Sequence, residues 1–105
     1  MTKRAVLLAP RAEADLDRIA LWIAEQGAPM TALEYVGRIR RFLASLDEFP
    51  ERGRDYGAFR TGLRIVSFER RVVIAIVVRA SRVEVQRVFS GGQDWRRAMR
   101  LHEDD

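Results

Sequence analysis

No cysteine occurs in these 105 residues, so neither a disulfide framework nor a thiolate metal site is available. Histidine occurs once, as His102 in the terminal stretch "LHEDD", with no partner at helical or hairpin ligand spacing. That excludes a metal centre and any serine–histidine–aspartate arrangement from the expectations. The tail's acids, about 101–105, read as a flexible, solvated terminus. No apolar run approaches the roughly 20 residues of a membrane span. The longest, "VVIAIVV" from Val72 to Val78, has the length of a buried strand. The opening "MTKRAVLLAP" carries two basic residues but too short an apolar run for a signal peptide. "SGGQDW" follows a strand pattern yet lacks the spacing and the lysine of a phosphate-binding loop. A single soluble, cytoplasmic domain over 1–105, with no cofactor, metal or membrane association, is therefore expected.

Lysine is also nearly missing: 19 basic residues less the one lysine, Lys3, leave 18 arginines, and the net charge is +4. One reading is the codon bias of a GC-rich genome. The other is an anionic partner, because a guanidinium group binds phosphate or carboxylate through two parallel hydrogen bonds. Charge alone does not separate a nucleic acid from an acidic protein.

The hydropathy pattern divides the chain into a strand, two helices and a run of strands. Ala5 to Leu8 reads as a strand closed by Pro10. From Arg11 to about Gln26, Ala12, Leu16, Ile19, Ala20 and Ile23 share one helical face, and Gly27 suits the position just past the helix end. A second helix starts near Pro29, or two residues later if Thr31 and Glu34 form a capping box. Its apolar stripe is Tyr35, Ile39, Phe42, Leu43, Leu46 and Phe49, and Pro50 ends it. The short connection predicts an antiparallel helical hairpin against the sheet. Pro50 to Gly62 reads as a loop. Strands follow at Leu63 to Phe68, Val72 to Val78 and Val83 to Phe89, with connections short enough for antiparallel hairpins. Val72 to Val78 is apolar on both faces and is placed centrally.

Arginine on the sheet is the remaining constellation. Arg64 opens the second predicted strand, Arg79 ends the third and Arg87 lies near the end of the fourth. Period-two alternation groups Arg64 with Val66 and Phe68, and Arg79 with Val77. It also sets Arg87 beside Val85 and Phe89. Such charges either discourage edge-to-edge aggregation or form an anion-receptive face covered by a partner. The stretch "RVFSGGQDW", Arg87 to Trp95, reads as a protein-binding edge: Phe89 and Trp95 supply apolar area, Arg87 and Arg96 charge, and Gly91 and Gly92 the bend. For the two aromatics, core packing is the competing reading. Trp22 lies off the stripe of the first helix and is either a surface anchor or a core-edge residue.

The order β-α-α-β-β-β, with "APRAEADLDRIALWI", "ALEYVGRIRRFLASLDEFPERGRD", "GLRIVSF" and "VEVQRVFSGGQDW", resembles the RelE/ParE family of bacterial type II toxins over nearly the whole chain. The "FPERG" exit, then "LR", then "RVFSGGQDW" is the most specific combination. The resemblance implies an α+β two-layer sandwich, a mainly antiparallel sheet against a helical hairpin, in hetero-oligomeric complex with a cognate antitoxin. That partner would be an acidic segment folding on binding. RelE-like members cleave mRNA on the ribosome, whereas ParE-like members inhibit DNA gyrase without a hydrolytic site of their own. RNA cleavage through the 2′-hydroxyl needs a base, an acid and cations for the phosphate. Arg64 falls where the family's strand arginine lies, with Arg52, Arg54 and Arg60 in the loop before it. However, Phe89 occupies the terminal aromatic position and has no proton to give. Tyr56, Glu69 or Glu84 would have to serve, and none matches the catalytic pattern. The resemblance therefore favours the gyrase-inhibiting branch, without catalytic residues. In this reading, direct nucleic-acid contact belongs only to the RNA-cleaving alternative.

Overall fold

The computed structural model describes residues 4–100; the expected acidic tail at 101–105, with His102, lies outside them. The element order is β1 (Ala5–Leu8), α1 (Pro10–Glu25), α2 (Pro29–Ala44), β2 (Arg54–Asp55), β3 (Leu63–Phe68), β4 (Val72–Val78), β5 (Arg82–Phe89) and α3 (Trp95–Ala98). One five-stranded sheet has the order β1-β5-β4-β3-β2, with β4 at its centre. Only the β1–β5 pairing is parallel; the others are antiparallel.

Both long helices begin with proline in the first turn and without a side-chain cap. Proline suits that turn because its missing N–H would have no partner there, and its φ is already helical. The Thr31–Glu34 capping box is not formed, since α2 starts at Pro29. Gly27 closes α1 at φ +84°, as its position predicted. The two helices are pinned by Arg40, which donates to both oxygens of Glu13 at 2.8 and 3.4 Å. α2 does not run on to Pro50. It tightens into a 3-10 turn at Ser45–Asp47, which buries Leu46 but swings Phe49 out to solvent, off the stripe expected for it.

The sheet is apolar on both faces, which makes two cores. Ala12, Leu16, Ile19, Ile39, Leu43 and Leu46 from the helical side meet Val66, Val72, Ile74, Ile76, Val83, Val85 and Val88. On the far face, Leu63, Ile65, Ala75, Val77 and Phe89 are covered by Tyr56 and Met99, with Trp95 packed against them. A bulge in β5 sets these assignments. Ile76 pairs with Val85 but Ala75 pairs with Arg87, so Gln86 is the extra residue. Simple alternation would put Val85 and Phe89 on one face. The inserted residue reverses the phase, so Val88 joins the helical core and Phe89 the other.

The segment expected to be a featureless loop after Pro50 contributes an edge strand, β2, beside β3. Gly53 permits it. At φ +76° its backbone lies so close to β3 that a Cβ there would sit 2.1 Å from the carbonyl oxygen of Ile65. Across the sheet, the β3–β4 turn holds Glu69 and Arg70 at φ 50° and 58°, where glycine or asparagine is usual. Arg38 of α2 grips the Glu69 carboxylate through two bonds at 3.1 and 3.2 Å and so ties this strained turn to the helical layer.

Gly53→Ala is expected to cost more than the ~1–2 kcal/mol of a left-handed residue alone. Gly27→Ala, where nothing lies within 4 Å of the added carbon, should stay near that figure. Urea denaturation of the two variants measures the difference.

Candidate interaction site

β1 pairs with β5 only as far as Leu8 opposite Val85, and Ala9 N–H then donates to the Val85 carbonyl at 2.9 Å. The chain leaves the sheet there to begin α1, so the outer backbone of β5 beyond this point has no strand partner. Asp15 of α1 replaces one. Its Oδ2 accepts the Val88 N–H at 2.8 Å and the Arg87 Nε–H at 2.8 Å, while its Oδ1 accepts from Arg87 at 3.1 Å and from Arg18 at 3.0 Å. The carboxylate is 2% exposed. Burial alone would raise its pKa; the hydrogen bonds from Arg87, the Val88 amide and Arg18 outweigh that and hold it below the ordinary value. Sequence reasoning missed Asp15. Its only signal was an acid at an α1 position adjoining the apolar stripe, one residue before Leu16.

Arg87 is therefore neutralised inside the fold, and its guanidinium lies over the Phe89 ring, 4.7 Å from the centroid. Phe89 itself is 1% exposed. The expectation that it offers apolar area to a partner is corrected: the β5 bulge turns it into the core under Tyr56 and Met99. Arg64 is on the helical face, where its side chain donates to the carbonyls of Arg52, Glu51 and Gly53 at 3.0, 3.2 and 3.2 Å and binds the β2 approach to β3. Arg79 sits at the β4–β5 turn beside Glu84, 3.2 Å away, and Glu84 also takes Arg82. The three sheet arginines thus have three different local partners and do not converge.

Trp95 and Arg96 do belong to one assembly, with Tyr56 at its centre. Tyr56 and Trp95 meet edge to face at 5.7 Å. Arg96 lies 4.8 Å from the Trp95 ring centre and 5.6 Å from that of Tyr56, and donates to the Tyr56 hydroxyl at 2.9 Å. Arg54 approaches the same tyrosine ring at 5.8 Å. Arg60 donates to the Met99 carbonyl at 3.2 Å, tying the loop after β2 to the segment that follows α3. Trp22, by contrast, is at the far end of the helical hairpin, 63% exposed with Leu21, Met30 and Leu33. A shallow groove of 310 Å³ between β1 and α2, lined by Arg4, Val6, Leu8, Arg40, Leu43 and Asp47, lies at the sheet edge opposite Tyr56. Among the described residues no cluster of acids or histidines has the geometry of a metal site, and no helix is long and apolar enough to cross a membrane.

Residues 6–95 match the family described as the ParE toxin of type II toxin–antitoxin systems, parDE. Among solved structures the chain is similar to one from the chromosomal ParDE toxin–antitoxin system of P. aeruginosa. The TM-score is 0.73 and the identity 21%, over 85% of this chain and 97% of that one. At that identity the likeness is one of fold. No curated protein matches the chain.

Asp15→Ala leaves the half-buried Arg87 without its counter-charge and the Val88 amide without its acceptor, and should cost about 3 kcal/mol in chemical denaturation. The depressed carboxylate also fixes a sign. Its contribution is full above the ordinary value of 3.8 and is lost as pH falls through the lower folded value. Between about pH 6 and about pH 3, wild type should lose more stability than Asp15→Asn, in which this group no longer titrates.

Proposed function

The chain belongs to the ParE toxin family of type II toxin–antitoxin systems, and from that premise we propose that it is a protein inhibitor of DNA gyrase held in check by a cognate antitoxin. The observation that supports the choice against RNA cleavage is that the sheet arginines and the candidate proton-transfer groups are committed to separate internal partners. Arg64 faces the helical layer, where it donates to three backbone carbonyls and lies 3.9 Å from Asp55, whose other oxygen accepts the Gly57 N–H. Glu84 stands on the other face under Arg79 and Arg82, and Glu69 is gripped by Arg38 at the β3–β4 turn. The Tyr56 hydroxyl lies beneath Arg96, and Phe89 is buried. General acid–base catalysis needs its two groups within hydrogen-bond reach of one reacting phosphate. Inhibition by binding asks only for a surface.

In this reading the antitoxin binds the tip of the helical hairpin. Leu21 and Trp22 near the end of α1, with Met30 and Leu33 at the start of α2, expose large apolar side chains on either side of the connecting turn. Such a cluster fits the apolar face of an amphipathic segment, in the manner of a helix laid on a groove. This gives Trp22 the anchoring role held open for it by its place off the core stripe.

Toxin incubated with gyrase and supercoiled plasmid is expected to yield linear DNA after denaturation, and the antitoxin complex to yield none. Intact plasmid together with cut mRNA in a translating extract would replace the gyrase reading with ribosome-dependent cleavage. Trp22→Ala is expected to weaken antitoxin binding by about 2 kcal/mol or more, the scale of a tryptophan anchor. Calorimetry would show this, with poisoning by the free toxin unchanged.

A further inference from the structure

The β3–β4 connection is built from residues that do not suit it. Glu69 and Arg70, at its centre, have φ of 50° and 58°. Such turns favour asparagine and glycine, because a Cβ in the left-handed region crowds the following carbonyl. Two consecutive residues with long side chains thus hold a conformation that their own chemistry disfavours. The turn persists because its surroundings fix it. Arg71 N–H closes it on the Phe68 carbonyl at 3.1 Å. From α2, Arg38 donates two hydrogen bonds to the Glu69 carboxylate and lies over the Tyr35 ring, 5.1 Å from its centroid. Tyr35 in turn meets Phe68, the last residue of β3, with ring centroids 6.5 Å apart. The chain after β5 also passes close, so that a Cβ on Gly91 would lie 3.2 Å from the Arg71 carbonyl oxygen. The product is a fixed backbone carrying two exposed arginines, Arg70 and Arg71. Asparagine and glycine would close the same hairpin with less strain. Strain kept where a relaxed sequence is available points to a second constraint on the site.

We propose that Arg70 and Arg71 on this turn contact an acidic patch on the gyrase protein. The inference rests on the gyrase reading and names a contact for it. Guanidinium groups on a rigid backbone suit carboxylates, and a fixed geometry lowers the ordering cost of binding a partner that is itself folded. An antitoxin segment that folds as it binds adapts to a relaxed turn just as well, and has no need of a strained one. A phosphate backbone is the poorer match, because the Glu69 carboxylate on the same turn would repel it. The sequence of charges from Arg38 through Glu69 to Arg70 is a mixed pattern, complementary to a protein surface of alternating sign.

The test is binding of full-length toxin to gyrase holoenzyme by surface plasmon resonance, with linear DNA yield as the second readout. Arg70→Gly and Arg71→Gln are compared with wild type. Arg70→Gly removes the guanidinium and the strained Cβ together. It should melt a few degrees above wild type, yet bind gyrase about tenfold more weakly and yield less linear DNA. Arg71→Gln should melt as wild type does and lose affinity on the same scale. For both variants affinity should fall less steeply with salt, because an ion pair has been removed. Antitoxin affinity should be unchanged in each.

Wild-type toxin that poisons gyrase no better than the variants would overturn the contact and leave the gyrase reading standing. Wild-type toxin without effect on gyrase would remove the reading, and the contact with it. An Arg70→Gly variant that melts below wild type would also overturn the proposal, since the turn would then carry no strain. So would variants defective in antitoxin affinity alone, which would give the turn to the antitoxin. Variants that keep gyrase affinity and lose only binding to a labelled DNA duplex would make phosphate the partner and overturn it too.

Discussion

One buried carboxylate governs how the helical layer meets the end of the sheet. Where β1 stops, β5 would expose an unpaired edge, and Asp15 closes it by accepting a strand amide and a strand arginine from the helix that immediately follows β1. The group sits in surroundings that disfavour its charge, so it holds only because every lone-pair direction in use is met by an N–H. α1, the far half of β5, the Arg87 side chain and, through it, the ring of Phe89 are positioned by the same four hydrogen bonds. An aliphatic residue could fill the space but could not accept the Val88 amide.

The elements themselves were legible in the sequence because their signals are local. Helical stripes, a doubly apolar central strand and glycine past a helix end appear where the pattern put them, within a residue or two. The failures share one cause: they turn on pairing between distant segments. Nothing near Gln86 announces that β4 will skip it, yet that one unpaired residue reverses the faces of Val88 and Phe89. The two residues of β2 become a strand because Gly53 can approach Ile65 and Arg64 can collect three carbonyls, neither of which is visible as periodicity. Phe49 kept its helical spacing but lost its helix when the last turn tightened. At the candidate site the residue types were legible and their roles were not, since an arginine reads the same whether its partner is a buried aspartate, a row of carbonyls or something outside the molecule.

That distinction separates two populations within one composition. Arg38 and Arg40 of α2 are matched to acids of other elements, Glu69 and Glu13, and exposed pairs of this kind contribute little stability each. Their value is in register and in the geometry of the β3–β4 turn. The arginines around Tyr56 instead rest on aromatic rings and backbone oxygens, which orient a guanidinium without cancelling its charge.

The parallel pairing of β1 with β5 has a consequence in time. Ala5 meets Arg82, and the carboxylate of Asp15 meets Val88, so both the first strand and the first helix find their partners near the chain's end. Loop closure over such separations is slow, and it cannot begin before the later segment exists. During synthesis the opening residues emerge first and are placed last, when β5 has cleared the ribosome. Until that moment the helical hairpin has no sheet edge to lock onto. The cell therefore has the whole interval of translation in which this chain is present but has not yet acquired the shape that could harm it.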